Sequence, residues 1–219
     1  MSDGEQITSL IEEAEREWLE RWSAGPTEAA PSALGVGEKA PDAELADETG
    51  AIRRLSDYWS TTKALVMFWR HFGCGCGVMR SELLKQEWER YQEHRIQPII
   101  IGQGEPLRAA AYKQEHGLAA TILCNPDHDV YRAYGVGHWN FQQIMLTDPP
   151  EEYLADPAGW GAAIQRERHA TRPIVDDPWR ATAEFLVDTG GIIRFAHQYE
   201  HCYDPPDPDR IIEAASMGH

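Results

Sequence analysis

Residues 5–22 place Ile7, Leu10, Ile11, Ala14, Trp18, Leu19 and Trp22 on one side of a 3.6-residue period and fill the other with Glu and Arg. That pattern predicts an amphipathic helix whose apolar face closes on the body of the chain, or on a second subunit in a homodimer. Residues 23–35 are rich in Ala, Pro, Ser and Gly and read as a linker, so 1–34 form an extension and 35–219 the domain proper. Beyond the linker, short apolar runs alternate with helix-periodic stretches. Residues 63–69 suit a buried central strand, and Met79, Leu83, Leu84, Trp88 and Tyr91 recur at helical spacing over 77–94. A second buried strand follows at 96–101, then a helix at 105–116, a strand at 119–124 and a short helix at 127–134 that stops at Gly135. Residues 138–180 interrupt this rhythm with five prolines and with Trp139, Phe141, Tyr153, Trp160 and Trp179. They read as an aromatic-rich insertion, helical around 151–169, which packs onto the domain, lines a pocket or meets another subunit. Residues 185–188 and 192–197 flank a glycine-containing turn as a hairpin, and a helix at 207–216 ends the pattern. Alternating strands and helices followed by a hairpin predict an α/β fold with a mixed central sheet flanked by helices.

Composition narrows the function. With 36 Asp and Glu against 20 Lys and Arg, the formal charge is −16, which repels phosphate backbones and anionic membrane surfaces. Nucleic acid and membrane partners are therefore not expected. The acidic, helix-patterned first residues carry no basic n-region or apolar h-region, so they do not read as a signal peptide, and a cytoplasmic location is expected. Four cysteines in 219 residues do not make a disulfide framework, and in a reducing compartment they stay thiols.

Two of the four, Cys74 and Cys76, stand one residue apart between the strand at 63–69 and the helix after it. Free N–H groups and the positive end of the helix dipole meet there, and Arg70, His71 and Arg80 are near in sequence. All of these favour the thiolate, the reactive form of a cysteine. Gly73, Gly75 and Gly77 are expected to keep the loop open and give it backbone freedom. A disulfide across one intervening residue is strained and hence oxidising, so the pair suits thiol–disulfide exchange. Two bland readings stand beside this one: inert buried cysteines, and a zinc or copper site formed with His71. No zinc-finger spacing supports the metal, and no glycine-rich nucleotide loop calls for NAD(P)H or flavin, so no metal or cofactor is expected.

The order of short motifs resembles the thioredoxin-fold superfamily, and within it peroxiredoxin-like proteins of the AhpC/TSA type, over about residues 35–216. Gly37 to Asp42, with Ala40-Pro41 inside it, is similar to the opening segment of that family. Arg70-His71-Phe72-Gly73-Cys74 is similar to the redox loop of the subgroup that includes prostamide/prostaglandin F synthase. The resemblance implies a thioredoxin-like fold, Cys74 as nucleophile and Cys76 as resolving thiol. It further implies a thioredoxin or glutathione-like reductant and a disulfide or peroxide substrate. Two departures stand out. The subgroup's Cys-x-x-Cys is shortened here to Cys74-Gly75-Cys76. The Pro and Thr of the peroxidatic motif are replaced by Trp69 and Gly73 or by Met67 and His71, depending on which cysteine is aligned. Dithiol exchange survives both departures, and peroxide or endoperoxide reduction is the alternative. A redox-inactive metal-binding module is a third possibility.

Three further residues enter through the same resemblance. Arg180 is similar in position to the arginine that peroxiredoxins hold near their cysteine. The loop after the last strand would bring Cys202 toward the pair as a further resolving thiol, with His201 as a proton carrier. Apart from the resemblance, Cys124 at the end of the strand at 119–124 reads as a small buried hydrophobe.

Overall fold

The computed structural model describes residues 3–217. Seven strands among them form one sheet in the order β2-β1-β5-β4-β3-β6-β7. These are β1 (Glu44–Asp47), β2 (Ile52–Arg54), β3 (Lys63–Phe68), β4 (Ile96–Gly102), β5 (Thr121–Cys124), β6 (Ala183–Val187) and β7 (Ile193–Gln198). Strands β3, β4 and β5 run parallel to their neighbours in that trio, and the flanking pairs are antiparallel, so the mixed direction expected from the sequence is present. Side chains along a strand alternate between faces, and β3 shows the result. Val66 and Phe68 join the layer that holds Tyr131, Tyr134 and Trp139. Leu65 and Met67 join the opposite layer, covered by Leu84, Tyr91, Tyr112 and Ile211. Helices α2 (Gly75–Glu93), α3 (Pro106–His116) and, after the hairpin, the last helix (Pro208–Ser216) supply this cover, while α4 (Asp129–Ala133) packs on the face of Val66 and Phe68.

Strand β3 lies between β4 and β6, with Phe68 opposite Ile101 and Ala183. Its C-terminal end therefore opens at the middle of the sheet edge, and residues 69–74 leave from that point. Helix α2 is fixed below by a buried ion pair. Arg80 Nε donates to Glu184 of β6 at 2.7 Å, Arg80 Nη1 donates to Glu87 at 2.8 Å, and Tyr199 Oη donates to Glu184.

The sequence did not show the β1–β2 hairpin, whose strands are four and three residues long, with β2 wholly exposed. Runs that short carry too few alternations to stand out from a loop. The insertion contains three helices, α5 (Phe141–Met145), α6 (Glu151–Ala155) and α7 (Pro157–Arg168), where one helical region was expected. Asp156 divides the last two, capping α7 by accepting from the Gly159 N–H, and Pro157 fills the first position of the helix.

Helix α1 (Asp3–Ala24) closes on its own chain, against α7 and α3. Trp22 is the centre of this contact, stacked on Trp18, Trp160 and Trp179 at centroid distances of 5.1, 5.5 and 4.7 Å. The segment expected to be a linker is pinned down. Ser32 N–H donates to the Gly135 carbonyl, Leu34 N–H to that of Tyr134, and the Thr27 and Glu28 N–H groups to His138 Nδ1. No helix among the described residues is long and apolar enough to cross a membrane.

Candidate active site

The turn from β3 into α2 is built around one aromatic ring. Phe72 stacks on Tyr112 at 4.7 Å and lies over Gly102 and Gly104, where a Cβ would come within 2.8 and 2.7 Å of its ring. The glycines that end β4 thus make room for the loop that carries the sulfur. Gly73 is required by a close approach: a Cβ there would sit 1.9 Å from the Pro173 carbonyl oxygen. None of Gly73, Gly75 and Gly77 has a positive φ, so they serve proximity and not the backbone freedom expected of them.

Cys74 is the N-cap residue of α2, and its N–H donates to the His71 carbonyl at 3.0 Å. Arg70 Nη1 points at its sulfur from 3.2 Å. That guanidinium is itself buried and fixed, donating through Nε to the Arg180 carbonyl at 3.2 Å and through Nη2 to that of Pro178. The Cys74 side chain makes no capping hydrogen bond, yet the N–H groups of Cys76 and Gly77 face its sulfur. The neighbouring Cys76 thiol contributes most, and together with Arg70 and these N–H groups it outweighs burial and draws the Cys74 pKa down to about 5. Cys76 moves the opposite way, held well above the ordinary thiol range by the Cys74 sulfur and by burial. The two sulfurs are thus pushed in opposite directions, Cys74 toward the thiolate and Cys76 toward the thiol.

A cavity of about 350 Å³ opens on Cys74. Its walls include Trp18 and Trp22 of α1, Ile144 and Met145 of α5, Trp160, Ile164 and Arg168 of α7, then Arg172, Ile174 and Pro178, and finally Cys202 and Tyr203. The extension and the insertion both line the pocket, in addition to packing the tryptophans together.

The remaining residues singled out from the sequence divide. His71 is buried in the cavity wall, its Nδ1 unpartnered, and burial followed by the charge of Arg70 keeps the ring neutral. Cys202 also lines the cavity and donates to the Ile144 carbonyl at 3.1 Å, and burial pushes its thiol up to about 11. His201 is not in the wall, and its Nδ1 accepts from the Tyr203 N–H. The side chain of Arg180 does not face the sulfurs. It is bound to Glu28 at 2.6 and 2.8 Å and to the Val136 carbonyl, and only its backbone reaches the site, through Arg70. Arg80, expected to add positive charge to the loop, is committed to Glu184 and Glu87. Cys124 is buried at the end of β5, its thiol pushed up to about 12 by burial. No group of three or more His, Cys, Asp or Glu able to hold a metal occurs among the described residues.

Sequence reasoning missed Arg168, Arg172 and Tyr203. A signal existed, since residues 166–172 hold three arginines within a strongly acidic chain, but it lay in a segment read for its aromatics.

Known proteins share this framework. The chain is 29% identical over 109 residues to the thiol-disulfide oxidoreductase ResA of Geobacillus thermodenitrificans (strain NG80-2), covering 48% of this chain and 60% of that relative. It is 25% identical over 132 residues to the peroxiredoxin Bcp of Bacillus subtilis (strain 168), covering 58% of this chain and 81% of the relative. The chain thus spans less than two thirds of the first of these proteins. The crystal structure of the peroxidoxin BcpB from Mycobacterium tuberculosis superposes with a TM-score of 0.61 at 14% identity, over 85% of this chain and 99% of that one. The fold is the thioredoxin-like one of the peroxiredoxins. The AhpC/TSA family model matches residues 36–196, and this chain belongs to that family.

Proposed function

We propose that the protein is a thiol-dependent oxidoreductase whose preferred reaction is thiol–disulfide exchange through Cys74 and Cys76. The observation that carries this reading is the split between the two sulfurs: Arg70 at 3.2 Å from a Cys74 drawn down to about 5, and a Cys76 kept protonated. The Cys74 thiolate attacks one sulfur of a substrate disulfide, forming a mixed disulfide and expelling the other half as a thiolate. Cys76, deprotonated as that leaving thiolate takes up its proton, attacks Cys74 and releases the second half. The substrate gains two electrons from the protein, one proton from Cys76 and a second from solvent as its other half leaves as a thiolate, and the protein ends with a Cys74–Cys76 disulfide. A thiol reductant of the thioredoxin or glutathione type then restores the dithiol. Cys202 lines the same cavity as a protonated thiol that donates to the Ile144 carbonyl, and in this reading it takes no part in resolving the Cys74 mixed disulfide.

The second reading is peroxide reduction, favoured by the family and by the buried thiolate–arginine contact. There Cys74 takes one oxygen from the peroxide, an alcohol or water leaves, and Cys76 condenses with the sulfenic acid to expel water. Insulin disulfides and hydrogen peroxide separate the two as substrates. Cys74→Ser is expected to abolish turnover of whichever is used, and Cys76→Ser to trap a mixed disulfide on Cys74 detectable by mass. Full activity of Cys74→Ser in both assays removes both readings.

A further inference from the structure

The charges around the cavity differ from those of the molecule. Over a chain of formal charge −16, the cavity wall holds three arginines and a single carboxylate, the exposed Glu167. Arg70 is consumed by the Cys74 sulfur and two carbonyls. Arg168 and Arg172 have no ion pair among the described residues, although 36 acidic side chains were available to supply one. The Arg172 guanidinium lies over the redox loop, 3.5 Å from where a Gly75 Cβ would stand, and its Nε is buried without a partner. His71, 5% exposed and in the same wall, leaves its Nδ1 unpartnered. Buried polar groups are almost always satisfied, so several orphaned ones around one cavity mark a place where a ligand completes them. A neutral imidazole donates from one nitrogen, and a guanidinium forms a planar fork, a set that matches a carboxylate. Much of the rest of the wall is apolar: Trp18, Trp22, Trp160, Ile144, Ile164 and Ile174.

We propose that Arg168, Arg172 and His71 form a carboxylate subsite beside Cys74, which selects a small disulfide carrying a carboxylate on an apolar stem. This rests on the reading of Cys74 as a disulfide-attacking thiolate and adds to it the class of substrate. A volume of about 350 Å³ suits a small molecule, at the lower end of ordinary ligand pockets. The carboxylate docks on the guanidiniums, the stem lies along the tryptophans, and the disulfide reaches the sulfur at the helix end.

Two disulfides of similar length, 3,3′-dithiodipropionate and neutral bis(2-hydroxyethyl) disulfide, test selectivity directly. The wild type is expected to prefer the dicarboxylate in kcat/KM, and Arg168→Gln/Arg172→Gln to reduce that preference by about tenfold or more, as loss of a charged hydrogen bond implies. Neither side chain makes a hydrogen bond elsewhere among the described residues, so the double variant is expected to fold. A preference unchanged in the variant overturns the subsite. Binding is measured separately from chemistry with suberate, the all-carbon analogue of dithiodipropionate, against 1,8-octanediol, followed by fluorescence of the tryptophans in the wall. Suberate bound more tightly than the diol, and weakened about tenfold in the variant, supports the subsite even if neither disulfide is turned over. Failure of turnover would then count against the redox reading alone. Suberate that fails to bind, or binds no better than the diol, overturns the subsite whatever the kinetics show.

Discussion

At the scale of single residues, the contact between Arg70 and Cys74 sets a permanent positive charge against the sulfur. A guanidinium stays charged at every working pH, so it stabilises only the thiolate form of its partner. Replacing Arg70 with Met removes that stabilisation and leaves the Cys76 thiol and the helix N–H groups alone to oppose burial. The Cys74 pKa, about 5 in the native protein, is expected to rise by roughly 1–3 units, read from the pH dependence of alkylation by iodoacetamide. An unchanged midpoint would assign the low pKa to Cys76 and the helix end alone. A cysteine pair at a strand-to-helix turn was legible in the sequence because glycines and the end of an apolar run frame it. The identity of its activating cation was only partly legible. Arg70, His71 and Arg80 all lie within six residues of a sulfur, yet one is bound to it, one is neutral by burial and one faces a glutamate 104 positions away. Sequence distance does not show which way a side chain turns.

At the scale of elements, the site depends on how α2 and the 169–178 segment meet. Glu184 of β6 holds Arg80 of α2 where both side chains are almost wholly removed from water. Removing one partner of such a pair strands the other charge, so Glu184→Ala is expected to cost about 3–5 kcal/mol in urea unfolding. Gly73 is the second junction. Gly73→Ala must displace the Pro173–Ile174 backbone, because the added methyl overlaps its carbonyl. The expected outcome is a less stable protein with slower alkylation at Cys74, whereas wild-type values for both would mean that the segment yields freely. Long elements with strong periodicity were legible: α1, α2, β3, β4 and the β6–β7 hairpin lie close to where hydrophobic spacing places them. The hairpin β1–β2 and the division of the insertion into three helices were not, since runs of three to five residues are fixed by tertiary contacts more than by pattern.

At the scale of the whole molecule, buried histidines set the acid limit. His128 is buried beside Arg180, and burial followed by that charge lowers its pKa to about 3; His71 is lowered in the same sense. In the unfolded chain both accept a proton near the ordinary pKa of about 6.5, so the unfolded state binds more protons as pH falls. Stability is therefore expected to decline from about pH 6.5 toward pH 3, by about 1.4 kcal/mol per pH unit for each such group once the unfolded form is protonated. The depressed Cys74 adds in the same direction for the reduced protein, its stabilisation being complete above the unfolded thiol pKa and lost as pH falls through about 5. Urea midpoints for the wild type and His128→Gln at pH 5 and 7 check this, the variant being expected to lose less between them.

The tryptophans of α1 stand outside residues 36–196, the part matched by the family, yet they wall the cavity over a sulfur inside it. Apart from His71 in the redox loop, the side chains proposed to select the substrate come from stretches other than the one that carries the sulfurs. A recombinant that keeps β3, the redox loop and α2 but exchanges residues 3–34 together with 141–172 would inherit the same thiolate and present it to different molecules. New substrate preferences could then arise without any change to the chemistry beneath them.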